Sequence, residues 1–355
     1  MSEKILGLPN VRKAILTEGL SDGRVRCGLC ARRCVTHSGQ RGFCRTRMNI
    51  EGQIYTLVYG DLSSISANPI EKKPFFHFWP GSYALTVGTW GCNFTCPWCQ
   101  NWEISKHPPE PMKASYASPE QLVRMVALEH CQGTSMSFNE PTMLFEYSLD
   151  VFPVAKRSGF YNTFVSNGYM TIEALKMLRD AGMDAIKFDL KGDLEAVRRY
   201  CAADVDVVWR NIREARGLGM HVEIANLIIP GVNDDDEALA GIAERCLGEV
   251  GPDVPLHFTR FYPAYKMTDR SPTPVSTLER ARELARKQGI HYTYIGNVPG
   301  HRWENTYCYN CGELLIQRYG FGVLKYGITE GKRCPKCDTE IPISGQYVRS
   351  VGAWK

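Results

Sequence analysis

The sequence contains no run approaching the ~18 apolar residues that a membrane-spanning helix needs, and its first residues lack the apolar stretch of a signal peptide. It also contains no P-loop and no glycine-rich dinucleotide-binding turn, which argues against the common nucleotide-binding folds. The composition of the 355 residues, 44% hydrophobic and 23% charged, is ordinary for a globular protein. We therefore expect a cytoplasmic protein with no membrane contact, large enough for one main domain with small additions.

The net charge of +4 is distributed unevenly along the chain. Residues 1–50 carry ten Lys or Arg against three acidic residues, so this segment has a net charge of +7 and the remainder −3. A basic segment can contact nucleic acid or an acidic partner. A solvated surface around a cysteine cluster is the more ordinary interpretation, so nucleic-acid binding is only an alternative here.

Cysteines are numerous for a chain expected in a reducing compartment, where disulfides are disfavoured and clustered cysteines indicate metal binding or catalysis. There are fourteen, of which eleven fall in three clusters. The other three, Cys131, Cys201 and Cys246, stand alone in helix-like stretches. We interpret these three as small buried hydrophobic residues.

Short apolar, β-branched runs alternate with helical patterns from about residue 83 onward. The predicted strands are Tyr83–Thr89, Thr134–Asn139, Asn162–Ser166, Ala185–Leu190, His221–Ile228, Leu256–Phe261 and His291–Ile295. The predicted helices lie near 119–131, 143–158, 171–182, 193–200, 206–219, 235–248 and 276–289. The helix near 171–182 has Thr171 as its cap and Gly182 as its stop.

Strands and helices that alternate in this way indicate βαβ units, a parallel sheet and right-handed crossovers. Six or seven units are too few for a closed eight-fold barrel. We therefore predict an α/β fold with a partial, open (β/α)6-type TIM barrel over 83–296, with its chemistry at the carboxyl ends of the strands. Residues 1–82 are predicted to form an N-terminal Cys-rich extension, and residues 297–355 a C-terminal zinc-ribbon-like module.

Three cysteines, Cys92, Cys96 and Cys99, follow the first predicted strand with the spacing Cys-x3-Cys-x2-Cys. A zinc site usually takes four ligands, whereas three thiolates on one loop suit an iron–sulfur cubane with three irons ligated and one open. A zinc site completed by a distant histidine is the alternative. Because the loop follows a strand, we expect the cluster at the mouth of the barrel.

The segment 91–105 (Gly-Cys-Asn-Phe-Thr-Cys-Pro-Trp-Cys-Gln-Asn-Trp-Glu-Ile-Ser) resembles the signature of radical S-adenosylmethionine (SAM) enzymes, in the branch related to pyruvate formate-lyase activating enzymes. The segments 68–74 (Asn-Pro-Ile-Glu-Lys-Lys-Pro) and 304–316 are similar to AmmeMemoRadiSam radical SAM proteins. The resemblance covers nearly the whole chain. It implies a [4Fe–4S] cluster whose open iron binds SAM, and reductive cleavage of SAM to methionine and a 5′-deoxyadenosyl radical; it assigns no substrate.

The resemblance also implies which residues bind SAM. Trp98 stands where the family's aromatic residue offers its backbone carbonyl to adenine. Glu140 takes the place of the glutamate that binds the methionine ammonium, although the two glycines that precede it in the family are missing here. Ser166 and Asn167 resemble the Thr-Asn of activating enzymes, with polar groups suited to the ribose or the methionine carboxylate.

At the end of the fourth predicted strand, the family pattern implies that Lys191 neutralises the SAM carboxylate and that Asp189 orients its neighbours. Activating enzymes hold a monovalent cation near that aspartate, with help from an acid whose place here is taken by Val165. Strand alternation puts Lys187 on the same face as Asp189 and Lys191. We therefore expect Lys187 to place an ammonium where the ion would be; its pairing with a structural carboxylate is the alternative.

Two further clusters hold the remaining eight cysteines. In the first, Cys308, Cys311, Cys334 and Cys337 form two Cys-x2-Cys pairs 22 residues apart. This pattern favours a structural zinc site, with an auxiliary iron–sulfur centre or free thiols as alternatives.

The second of these clusters has the irregular spacing Cys-x2-Cys-x3-Cys-x9-Cys, formed by Cys27, Cys30, Cys34 and Cys44. It does not match the bacterial ferredoxin run. Zinc is the favoured metal for this group, and an auxiliary [4Fe–4S] cluster is the alternative.

Two histidines, His77 and His257, are the best placed of the eight to face a cavity, and His257 is a candidate for contact with the ribose. A hydrogen-bonded core histidine is the more ordinary interpretation of each.

We predict a radical SAM enzyme that abstracts hydrogen from an unidentified small-molecule or protein substrate. It would draw its electron from a donor such as flavodoxin or ferredoxin. One alternative is an activating enzyme that makes a glycyl radical on a partner protein. A second is a zinc-stabilised nucleic-acid-binding module, suggested by the basic segment and the cysteine pairs.

Overall fold

The structure, a computed structural model, describes residues 4–349. These residues divide into two compact units: residues 4–67 with Ala84–Ile186, and Asn68–Tyr83 with residues 187–349. The three consecutive segments expected from the sequence, 1–82, 83–296 and 297–355, stay a prediction. Residues 1–3 and 350–355, at the ends of the first and third segments, lie outside the described residues.

The amino-terminal region is built from short strands. They are β1 (Arg12–Lys13), β2 (Thr17–Gly19), β3 (Val25–Cys27), β4 (Val35–Thr36), β5 (Arg47–Ile50), β6 (Gln53–Thr56) and β7 (Ser64–Pro69). Two antiparallel sheets of three strands result, in the orders β1–β6–β5 and β2–β3–β4. The strands of these two sheets were not predicted, because strands of two to four residues carry too little alternation to detect.

The first unit continues with parallel strands and helices. They are β8 (Tyr83–Gly88), α1 (Trp102–Ser105), α2 (Pro119–Leu128), β9 (Gly133–Met136), α3 (Phe145–Arg157), β10 (Tyr161–Ser166) and α4 (Ile172–Ala181). Strands β8 and β10 both pair with β9 in parallel. The Thr171 side chain caps α4, and Gly182 ends it in the left-handed conformation, as predicted.

The chain passes from the first unit to the second within β11 (Ala185–Leu190). There follow α5 (Leu194–Cys201), α6 (Val205–Gly217), β12 (His221–Ile228), α7 (Asp236–Val250), β13 (Leu256–Arg260), α8 (Val275–Lys287) and β14 (Thr293–Gly296). Strands β12 and β14 flank β13 in parallel. Strands β15 (Thr306–Tyr307), β16 (Leu314–Tyr319) and β17 (Gly322–Tyr326) form a separate antiparallel sheet.

The element order confirms the predicted α/β class with a parallel sheet. Each of the strands β8 to β13 is followed by at least one helix before the next strand, and β14 ends the series. The predicted bounds of β11 and β12 agree with those of the structure. Four 3-10 turns, Ile70–Lys72, Pro111–Lys113, Pro141–Leu144 and Arg302–Glu304, and the four-residue helix α1 were not expected, because one turn of helix has no periodicity to detect.

The C-terminal cysteine segment shares a hydrophobic core with β14. Buried side chains of the small sheet, such as Leu315 and Ile316, pack with Tyr292, Tyr294 and Phe76. This segment therefore obtains its apolar contacts from the rest of the second unit, and it does not have to supply a complete core of its own.

In the described part of the chain, no helix combines the length and the apolar character needed to cross a bilayer.

Candidate active site

The predicted cluster cysteines lie on the loop between β8 and α1, directly after a parallel strand. The Cys92 sulfur accepts a hydrogen bond from the Phe94 backbone N–H at 3.4 Å, and the Cys99 sulfur lies 3.5 Å from Ser105 Oγ. Burial raises the pKa of the Cys92 thiol.

The spacing of the three sulfurs fits a cluster better than a single ion. Among the described residues, the only group of three or more Cys, His, Asp or Glu side chains with all ligand atoms within 4.8 Å of one another is at the C-terminus. Cys92, Cys96 and Cys99 are therefore spread more widely than the ligands of one ion. A cubane binds each thiolate through a different iron, so it suits this wider arrangement.

Side chains and backbone groups of the first unit hold this cysteine loop in place. Arg32 Nε and Nη2 donate to the Asn93 carbonyl at 3.0 and 2.9 Å, and Lys106 Nζ donates to the Phe94 carbonyl at 2.7 Å. Neither Arg32 nor Lys106 was predicted from the sequence. Arg32 donates to the backbone carbonyl of a residue 61 positions away, and no sequence motif predicts such a contact.

Glu140 lies at the carboxyl end of β9 and is only 3% exposed. Its Oε1 accepts from Thr142 and from Ser166 Oγ at 2.8 Å, and its Oε2 accepts from the Asn167 backbone N–H at 2.8 Å. Burial raises the pKa of Glu140 against these hydrogen bonds, which favour the ionised form. The carboxylate thus joins the ends of β9 and β10, and Oε2 keeps a lone pair for a cation. Its predicted contact with the methionine ammonium stays a prediction.

Asn167 links the end of β10 to the cysteine loop. Its Nδ2 donates to Asn93 Oδ1 at 2.7 Å and lies 3.9 Å from the Cys92 sulfur, while its Oδ1 accepts from the Tyr169 N–H at 3.0 Å. The Ser166 hydroxyl donates to Glu140 Oε1. The structure therefore brings Cys92, Glu140, Ser166 and Asn167 together at the ends of three neighbouring parallel strands.

Trp98 is buried at 3% exposure, so its ring packs inside the protein. Its predicted backbone contact with adenine stays a prediction, as do the contacts of Ser166 and Asn167 with SAM.

Asp189, Lys191 and Lys187 form one ionic cluster on β11 and the residue that follows it, in the second unit. Lys187 Nζ pairs with Asp189 Oδ1, and Lys191 Nζ lies 3.1 Å from Asp189 Oδ2. Burial alone would raise the pKa of Asp189, but the two ammonium groups outweigh it and lower the pKa to about 2. Lys187 therefore lies beside Asp189, and its predicted role in place of a cation stays a prediction.

The histidines considered for the cavity are both buried and hydrogen-bonded within the second unit. Glu223 on β12 accepts from the Phe76 and His77 backbone N–H groups at 3.0 and 2.7 Å. It also pairs with His257 Nε2 at 2.7 Å and His221 Nε2 at 3.0 Å. Burial would raise the pKa of Glu223, but the hydrogen bonds from the two histidines hold it well below its usual range. His77 and His257 thus belong to a satisfied buried network.

The C-terminal cysteines form a compact group in the second unit. The sulfurs of Cys308 and Cys337 lie 3.6 Å apart, as do those of Cys311 and Cys334, and all four lie within 4.8 Å of one another. These distances are too long for disulfides, in which the two sulfurs are about 2.05 Å apart. Four cysteine sulfurs this close together could hold one metal ion.

The N-terminal cysteines lie in the first unit and do not form such a group. Cys27, Cys30, Cys34 and Cys44 all line one cavity, but they do not meet the 4.8 Å spacing that the C-terminal group shows among the described residues.

Comparisons with known proteins agree with this geometry. Residues 86–242 match the model of the Radical SAM superfamily. An uncharacterized protein of Methanocaldococcus jannaschii is 43% identical over 334 residues, which cover 94% of this chain and 99% of the relative. A domain of pyruvate-formate lyase-activating enzyme from Bacteroides vulgatus aligns at a TM-score of 0.41 and 17% identity, over 46% of this chain and 99% of that domain. SuiB of Streptococcus suis bound to S-adenosylmethionine aligns at 0.48 and 11% identity, over 61% of this chain and 51% of SuiB. The chain belongs to the radical SAM superfamily, which implies a [4Fe–4S] cluster and SAM as its cofactors.

Proposed function

We propose that this protein cleaves SAM reductively and abstracts a hydrogen atom from a substrate, with Cys92, Cys96 and Cys99 as the ligands of the catalytic cluster. When bound, the cluster supplies the electron that breaks the sulfonium C–S bond and gives methionine and a 5′-deoxyadenosyl radical. The single observation that carries the proposal is the hydrogen-bonded link between the Cys92 loop and the ends of β9 and β10.

The chain's own residues position and enclose the reactants. Asn167 fixes the Cys92 loop through Asn93, so the cysteine sulfurs keep their orientation when the cofactor enters. Glu140 offers a buried carboxylate oxygen to the methionine ammonium, a pairing that would lower its raised pKa. Trp98 presents its backbone to adenine, and Ser166 presents its hydroxyl to the ribose or carboxylate. In the second unit, Lys191 is proposed to neutralise the SAM carboxylate, with Asp189 orienting its ammonium.

The test is anaerobic reconstitution with iron and sulfide, reduction with dithionite in the presence of SAM, and measurement of released 5′-deoxyadenosine. We expect release from the wild type and none from Cys96→Ala. Cys131→Ala, which changes a buried cysteine outside the three clusters, is the matched control and should behave as the wild type. No release from a wild-type protein with an intact cluster would overturn the proposal.

The proposed substrate is a small molecule or a protein, and residues 68–74 and 304–316 carry the similarity to AmmeMemoRadiSam proteins. The ammonium of Lys187 beside Asp189 favours hydrogen abstraction without the monovalent cation that the activating-enzyme resemblance implies. Full activity in buffers free of sodium and potassium is the expected result. A strict requirement for either ion would favour the activase alternative.

We also propose that the C-terminal group binds zinc. A tetrahedral zinc site with Zn–S bonds of about 2.3 Å places its sulfurs about 3.8 Å apart, close to the 3.6 Å between the sulfurs of both cysteine pairs. The Cys337 sulfur lies 3.2 Å from Thr339 Oγ1, the kind of outer contact that orients a metal-bound thiolate. About one zinc per chain, measured by mass spectrometry after purification, is the expected result.

A further inference from the structure

The four N-terminal cysteines surround one cavity of the first unit, although they are spread over eighteen positions of a loop-rich segment. The empty space, which includes open solvent at the mouth, is about 410 Å³. Leu29, Ile54 and Met143 provide apolar walls, and Arg47 and Asn93 provide polar ones. Four thiols that converge on one partly enclosed space form a ligand set for a metal centre.

The spacing of these sulfurs excludes the arrangement seen at the C-terminus. Within residues 4–349, only the C-terminal four bring all their ligand atoms within 4.8 Å, as one tetrahedral ion requires. A [4Fe–4S] cubane also takes four cysteines, but it binds each to a separate iron and so holds them further apart. The N-terminal set therefore has the ligand number of both centres, and its sulfurs are spread more widely than the ligands of one tetrahedral ion.

A buried cation supports an anionic centre in this cavity. The Arg47 side chain lines the cavity at 2% exposure and pairs with Glu146 through Nη2 at 2.6 Å. Its Nε and Nη1 have no hydrogen-bond partner among the described residues. Buried N–H donors are rarely left unpaired, and a cluster with four thiolates carries the negative charge and the sulfur acceptors that these donors lack.

Two of the sulfurs already have hydrogen-bond neighbours of the kind found around iron–sulfur centres. The Phe43 backbone N–H donates to the Cys34 sulfur at 3.4 Å, and Thr46 Oγ1 lies 3.2 Å from the Cys44 sulfur. Such contacts favour the thiolate form and tune the potential of a cluster.

The cavity adjoins the loop of the catalytic cysteines. A Cβ added at Gly91 would lie 2.5 Å from the Cys44 carbonyl oxygen, so the two cysteine loops touch backbone to backbone. Arg32 lines the cavity and donates to the carbonyl of Asn93, the residue after Cys92. Any centre in the cavity is thus a direct neighbour of the Cys92 loop.

From the shared cavity, the wide sulfur spacing and the two unpaired N–H donors of the buried Arg47 side chain, we infer that Cys27, Cys30, Cys34 and Cys44 bind an auxiliary [4Fe–4S] cluster and not zinc. The inference goes beyond the proposed SAM chemistry and does not depend on it, because none of its ligands belongs to the catalytic loop.

The test separates the two clusters. In the variant Cys92→Ala/Cys96→Ala/Cys99→Ala, reconstituted anaerobically, we expect about four irons and four sulfides per chain and a cubane signal in the Mössbauer spectrum. The wild type should hold about eight irons, and both proteins about one zinc. About four irons and two zincs in the wild type, with no iron in the triple variant, would overturn the inference, as would the two irons of a [2Fe–2S] centre.

A second pair of variants is the control for loss of iron through misfolding. Adding Cys30→Ser to the triple variant should remove the remaining iron and leave the zinc, whereas adding Cys131→Ser should change neither. Retention of iron in the Cys30→Ser protein would contradict the assignment. SAM cleavage by the wild type is measured in a separate assay. If the proposed function is wrong, SAM is not cleaved but the triple variant still holds iron; if this inference is wrong, the triple variant holds no such cluster whether or not SAM is cleaved.

Discussion

The two four-cysteine groups have the same ligands and different geometries. At the C-terminus, two short Cys-x2-Cys turns bring four sulfurs within 4.8 Å of one another, beside the small sheet of β15 to β17. At the N-terminus, Cys27, Cys30, Cys34 and Cys44 line one cavity together with the buried side chain of Arg47. The two groups therefore differ in the spacing of their sulfurs and not in the number of cysteines.

The surroundings of the two four-cysteine groups differ as well as the spacing of their sulfurs. The C-terminal cysteines belong to an apolar core with Leu315 and Ile316, so a metal bound there would stabilise the fold. The N-terminal cysteines lie against the Cys92 loop, so a centre bound there would lie beside the proposed catalytic cluster. The predictions below test this division between a structural and a redox role.

The largest effect is expected from the C-terminal group. Cys311→Ser with Cys334→Ser removes two thiolates from one ion, and structural zinc contributes about 10–16 kcal/mol to folding in zinc-finger peptides. We expect loss of about one zinc and rapid hydrogen exchange across β15 to β17. The matching change Cys27→Ser with Cys34→Ser should keep the zinc and lose about four irons. Zinc loss from the second protein would break the comparison.

The next effect concerns the charge in the N-terminal cavity. Arg47→Met leaves the Glu146 carboxylate buried without its partner, and breaking a buried ion pair costs about 3–5 kcal/mol. Arg26→Met is the matched control in the same region, because its partner Glu18 is exposed, and we expect a change of about 0–1 kcal/mol. Chemical unfolding of the metal-free proteins provides the measurement. Equal losses in the two variants would contradict the burial of the Arg47 pair.

A smaller effect should come from the contact between the two cysteine loops. Gly91 has a φ of 76°, and a Cβ there would clash with the Cys44 carbonyl. Gly91→Ala should cost roughly 1–3 kcal/mol and reduce the iron content of both clusters. Gly39 has a similar φ of 83° with nothing within 4 Å of its Cβ, so Gly39→Ala should cost about 1 kcal/mol and keep the iron. Matching iron contents in the two variants would show that the loops are independent.

The smallest effect distinguishes the two metals by their outer contacts. Thr46 and Thr339 each place a hydroxyl 3.2 Å from a cysteine sulfur, Cys44 and Cys337 respectively. Removing either hydroxyl, as Thr46→Val or Thr339→Val, should cost about 1 kcal/mol. Only Thr46→Val should lower a cluster reduction potential, because hydrogen bonds to sulfur raise it. Electrochemistry that shows a shift in Thr339→Val instead would reverse the assignment of the two sites.

Local patterns in the sequence predict the longer strands and helices of the parallel sheet and the cluster motif. The bounds of β11 and β12, the cap and stop of α4, and the Cys-x3-Cys-x2-Cys loop after a strand are all local patterns. Hydrophobic period, capping chemistry and ligand spacing operate over a few residues, so they can be read without a fold.

The tertiary structure decided what the local patterns could not. Glu140 joins two strand ends, Asn167 reaches Cys92 from 75 positions away, and Arg32 holds the Asn93 carbonyl. It also sets the spacing of the four N-terminal sulfurs, on which the inferred cluster depends. Distances between loops depend on how distant strands pack, and no short segment encodes them. Short segments show which residues can be ligands, because residue type and spacing along the chain are local. The distances between those ligands in space depend on the packing of the whole fold.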